Sequence, residues 1–176
     1  MKTIKLFLCF FINIAIYISC STINKKDVFY LSSGIEKIKI FPATERDSAK
    51  IDAIDSAGKK FSEKCRREHL TCIDDTGIMT LHAEFPNGIY NFRVVLFNHF
   101  NAPRNGTAGE NRIRVTIGTQ NNLEKVEVLK YTDKDTKKAI ENVFKLKELN
   151  IWKSAKIYGI PVKEQFEISI FIEAKK

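Results

Sequence analysis

Two runs of strict alternation in the last third of the chain, with one helical run between them, restrict the fold more than any other feature. Ile113, Val115 and Ile117 alternate with Arg112, Arg114 and Thr116, while Phe166, Ile168, Ile170 and Ile172 alternate with Glu167, Ser169, Phe171 and Glu173. Successive side chains of a strand point to opposite faces, so each run predicts a strand with one face to bury. Gln120-Asn121-Asn122 reads as a hairpin turn, and Glu124 to Tyr131 as the return strand, with Val126 and Val128 on one face. Thr132, three residues before Asp135, makes an N-cap pattern. Ala139, Ile140, Val143, Phe144 and Leu146 then keep helical spacing over about Asp133 to Lys147. Asp133 and Asp135 near its start and Lys145 and Lys147 near its end suit the helix dipole. Strand, strand, helix, strand predicts an α+β fold, a small antiparallel sheet covered by a helix. The expected inner face is Ile113, Val115, Ile117, Val126, Val128, Ile168 and Ile170.

Upstream, residues 28 to 41 predict a strand that stops at Pro42. Ile51, Ile54, Ala57, Phe61 and Cys65 recur at steps of three and four and predict an amphipathic helix from about Asp47 to Glu68. Ile78 to Ala83 is a short strand candidate ahead of Phe85-Pro86-Asn87-Gly88. Ile89, Phe92, Leu96 and Phe100 then repeat with helical period, and Asn101 to Asn111 reads as a loop.

The start of the chain is expected to be an export leader, cut from the mature protein. Lys2 and Lys5 precede an apolar run from Leu6 to Ile18, and small residues follow, the layout of a secretory signal peptide. The run supplies about 13 residues where a spanning helix needs roughly 20. Cys20 closes it, where a lipoprotein signal places the cysteine that receives lipid; cleavage near Ser21 and an uncleaved anchor are the competing readings. A formal charge of +8 over 176 residues would favour an anionic surface or an acidic partner, but the lysines are spread along the chain. No basic cluster interleaved with aromatics argues for nucleic acid.

Export puts Cys65 and Cys72 in an oxidising compartment as an even pair, which predicts a local disulfide. Seven residues of unbroken helix would hold their Cα atoms about 10 Å apart, so the helix must end between them. Cys65, His69 and Cys72 lack a fourth ligand at recognisable spacing, so no metal is expected. A Cys65 and His69 nucleophile pair has neither an orienting acid nor an oxyanion turn beside it, and no catalytic residue or cofactor is expected.

The run from Arg112 through Trp152-Lys-Ser-Ala-Lys-Ile-Tyr-Gly-Ile-Pro-Val162 to Phe171 resembles the TonB C-terminal domain family. Trp152 with Gly159, Pro161 and Val162 is its most specific element. Phe85-Pro86-Asn87-Gly88 is similar to the segment that precedes the domain in many members from Bacteroidota. With the leader (1–20) read above, the resemblance divides the rest of the chain into an N-terminal α+β segment of unknown type (21–82) and a TonB-like ββαβ domain (83–176). It implies an envelope protein that pairs a sheet edge with an extended peptide of an outer-membrane transporter or another protein, held to a membrane by lipid or anchor. By analogy the edge is the final strand, with Glu167, Ser169, Phe171 and Glu173 facing the partner. Glu167 and Glu173 have a second reading, as charges that discourage pairing. With four prolines and no histidine before His69, the chain lacks the long arm and the intramembrane histidine of a full energy transducer. A short transducer with an uncleaved anchor, and an exported enzyme, are the alternatives.

Overall fold

A computed structural model describes residues 29–72 and 80–173, so the leader and Cys20 lie outside the described residues. The described residues form an α+β fold. Its strands are β1 (Phe29–Leu31), β2 (Glu36–Phe41), β3 (Thr80–Leu81), β4 (Gly109–Ile117), β5 (Leu123–Lys130), β6 (Ala155–Ile157) and β7 (Ile160–Ile172). Its helices are α1 (Glu45–Arg67), α2 (Gly88–His99) and α3 (Lys134–Val143), with a 3-10 turn at Lys147–Leu149. The strands run β3-β6-β7-β4-β5, with β1 and β2 also lying along β7, and every pairing is antiparallel.

The two alternating runs are neighbours in this sheet. Ile113 lies opposite Ile168 and Val115 opposite Phe166, which puts the apolar sets on one face, while Arg114 meets Glu167 on the other. Ile113, Val115, Ile117, Ile168 and Ile170 are each at most 1% exposed, and Val126 and Val128 flank them half-buried. Burying an aliphatic side chain of this size contributes roughly 1.5–3 kcal/mol, so this face is the main source of stability. Two helices cover it, not the single one expected: α2 contributes Phe92 and Leu96, and α3 Ile140 and Val143. Trp152 fills the junction, with ring centroids 5.2 Å from Phe85, 5.2 Å from Phe92 and 5.8 Å from Phe166. Its indole N–H donates to the Leu149 carbonyl at 3.0 Å, which satisfies the one polar atom it buries.

Several boundaries differ from expectation for local reasons. The helix expected to reach Lys147 ends at Val143. Asp133, not Thr132, caps it: the Asp133 carboxylate accepts from the Thr136 N–H at 2.8 Å, while the Thr132 N–H and hydroxyl are drawn to Asn111 Oδ1. The strand expected over residues 28 to 41 breaks at Ser32-Ser33-Gly34 into β1 and β2. The residues after Trp152 form a hairpin. Tyr158 (φ 50°) and Gly159 (φ 77°) both turn left-handed, as a tight two-residue turn requires, and β7 therefore starts at Ile160.

The largest correction concerns β7, which lies inside the sheet and not at its edge. One side pairs with β4; the other carries β6, β2 and β1 in succession. At 13 residues it outruns any one partner, and the free length beside it is taken by strands from before residue 42. The sheet thus continues across the division expected at residue 83.

Helix α1 is built from local devices. Thr44 caps its start, accepting from the Asp47 N–H at 3.1 Å and donating its hydroxyl to the Asp47 carboxylate at 2.7 Å. Near that end Ile51 packs with Ala155 and Val162, and the Tyr158 hydroxyl bonds Asp55. At the far end His69 turns left-handed (φ 52°), Leu70 N–H reaches the Cys65 carbonyl at 3.0 Å and His69 N–H the Arg66 carbonyl at 3.4 Å. This Schellman turn reverses the chain. It brings Cys72 to Cys65, with Cα atoms 6.0 Å apart and the sulfurs bonded.

Candidate functional site

The residues expected to face a partner sit on the sheet face away from α2 and α3. The Glu167 carboxylate is 3% exposed and is held by Lys37 Nζ and Arg114 Nη2, both at 2.9 Å. Burial would raise its proton affinity, but those two cations outweigh burial and hold it below the usual carboxylate range. The Ser169 hydroxyl donates to Glu110 at 2.9 Å. Hydrogen bonds from Arg112, Lys130 and Ser169 take the Glu110 carboxyl down to about 2. Phe171 stacks on Tyr30 with centroids 4.9 Å apart, and only Glu173, just past β7, is exposed.

The backbone beside them is engaged as well. The Ser32 N–H donates to the Ser169 carbonyl at 2.8 Å, and the Ser169 N–H donates to Ser32 Oγ at 3.2 Å. A partner strand would therefore have to displace residues 29–32. Glu167, Ser169 and Phe171 are brought together with Lys37, Tyr30 and Ser32 of the same chain, not with open solvent.

Open edges remain elsewhere. The outer side of β5 is free among the described residues, but Lys125 and Lys130 stand exposed along it, a pattern that discourages pairing. The outer side of β1 differs. Antiparallel bonding alternates, and since Ser32 bonds across to Ser169, the amides and carbonyls of Phe29 and Leu31 point away from β7. Next to that edge, α2 presents Tyr90, Arg93, Val94, Phe97 and Asn98, which with Leu31 line a groove of about 320 Å³. Tyr90 is 73% exposed and Phe97 44%. Phe97 also packs on Phe29, with tilted rings 4.8 Å apart at their centroids, so groove and edge are one surface. Arg93 donates through Nη2 to the Ser32 carbonyl, while its buried Nε has no acceptor among the described residues.

None of these groove residues was a candidate from the sequence. The signal was present in α2, whose apolar residues Tyr90, Val94 and Phe97 lie off the Phe92–Leu96 stripe, leaving the helix apolar on two sides. Cys65 and Cys72, bonded to each other, offer no thiolate to a metal or a substrate, and His69 beside them is exposed. Among the described residues no helix is long and apolar enough to cross a membrane. Comparisons with protein-family models, with curated proteins and with solved structures found no match to this chain.

Proposed function

We propose that the chain is a membrane-tethered envelope protein that binds an extended peptide by strand addition and performs no catalysis, and that its C-terminal half is TonB-like. The run β4, β5, α3 and then β7, with the short β6 hairpin arm inserted before β7 and Trp152 at the junction, supports that likeness, and the leader with Cys20 supports the tether. In this reading the acceptor is the free side of β1, not β7. One observation carries it: a strand edge unpaired among the described residues runs beside an apolar groove lined by Leu31, Tyr90 and Phe97. Backbone bonds to Phe29 and Leu31 would supply affinity, and the groove would select alternate side chains of the peptide.

The test starts from a random peptide display selection on the full chain, with the recovered peptide as the labelled probe. Leu31→Pro removes an outward N–H that no residue of β7 uses, and should abolish binding in a protein whose circular dichroism is unchanged. Tyr90→Ala should weaken binding by about 1–2 kcal/mol through lost side-chain contact. Binding that survives Leu31→Pro in a folded protein would remove the β1 edge as acceptor.

A further inference from the structure

The far half of α1 is unlike the rest of the surface. From Lys59 to Thr71 every residue is exposed except Cys65, so the helix end stands clear of the sheet around its circumference. It carries Lys59, Lys60, Lys64, Arg66 and Arg67 against the carboxylates Glu63 and Glu68. None of the five cations has an ion-pair partner among the described residues. Two apolar side chains project among them, Phe61 at 52% exposure and Leu70 at 54%.

Cations in a last turn complement the helix dipole, which accounts for Lys64, Arg66 and Arg67. The dipole accounts neither for Lys59 and Lys60, further back, nor for bare Phe61 and Leu70. The Cys65–Cys72 bond and the Schellman turn hold Leu70 at the helix end, so the apolar pair and the cations keep a fixed arrangement without support from the core.

We infer that this tip, Lys59 to Leu70, docks on the surface of an anionic lipid bilayer. Lys and Arg would sit at the headgroups while Phe61 and Leu70 enter the acyl boundary, the division of labour of an interfacial amphipathic segment. An acidic peptide would satisfy the cations, but a helix end exposed on all sides offers it no cleft for side-chain selection. A bilayer needs none.

The test uses the full chain carrying Leu70→Trp, mixed with brominated-lipid vesicles of phosphatidylcholine alone or with about one-third phosphatidylglycerol. Wild type supplies the signal of the buried Trp152. Quenching of the new tryptophan should be at least about tenfold greater in the anionic vesicles, since each basic residue near such a surface adds about a factor of five in partition. It should fall sharply in about 1 M salt, where the screening length is about 3 Å. Lys59→Glu, Lys60→Glu and Lys64→Glu together should remove it. The reading is local to the tip, so a lipid or apolar anchor elsewhere cannot mimic it. Equal quenching in neutral and anionic vesicles, or quenching indifferent to salt or to the triple substitution, overturns the proposal. So does protection of the tip by an acidic peptide but not by vesicles.

Discussion

Helices α3 and α1 stand at opposite ends of what tertiary structure does for a helix. The ten residues of α3 bury Thr136, Ile140 and Val143, whereas the 23 residues of α1 bury only Ile51 and Cys65. The longer helix is the less integrated one. Most helical stability in proteins comes from tertiary packing, and α1, which buries little, adds a Schellman turn and a disulfide to its cap where α3 adds a core. Length measures how far a helix reaches, and burial measures how firmly the fold holds it.

The contrast can be broken by substitution. Phe92→Ala, at the centre of the aromatic cluster, should cost about 4 kcal/mol in urea unfolding, and Trp152→Ala about 3 kcal/mol. A change near zero for either would mean that this cluster is not the core.

Asp133→Ala should cost about 1 kcal/mol near neutral pH by removing the α3 cap. Burial would raise the Asp133 carboxyl, but the N–H groups of Thr136 and Thr107 and the Thr136 and Thr132 hydroxyls hold it at about 2. Glu110 lies at about 2 and Glu167 is also lowered. Each is depressed in the folded state. The stability they lend is therefore complete above about pH 5, just over the ordinary carboxylate range, and is lost as pH falls toward 2. An acid titration of unfolding should slope through that window, and Asp133→Asn should flatten it.

On α1 the effects should be small. Phe61→Ser should change global stability by less than about 0.5 kcal/mol, as expected of an exposed site. Replacing Cys65 and Cys72 with serine should speed hydrogen exchange at residues 65–72 and leave that of β4 and β7 unchanged. A slowed or accelerated β7 would show α1 coupled to the core after all.

What could be read beforehand was local. Alternation placed the inward isoleucines of β4 and β7, and the spacing of Ile51, Ile54, Phe61 and Cys65 placed α1 within two residues at its start and one at its end. Pairing was not legible, because nothing in Phe29-Tyr30-Leu31 says that it will lie against Ile170–Ile172, across most of the chain. Nor was the left-handed turn at Tyr158, since a tyrosine does not advertise positive φ as glycine does. The reading of β7 as an edge strand failed for the first of these reasons. The face of β7 was right, but its neighbour was unseen.

The pairing of Phe29 with Ile172 has a further consequence. The first and last strands of the described fold are neighbours, and such partners lie about 5 Å apart at their Cα atoms. A short linker could join them, and new ends could be opened at Asn121, in the exposed β4–β5 turn. That circular permutant should keep the same sheet, because no strand pair is cut. What changes is the order of appearance: β1 would follow β7 from the ribosome within a few residues, when in the natural order it waits for nearly the whole chain.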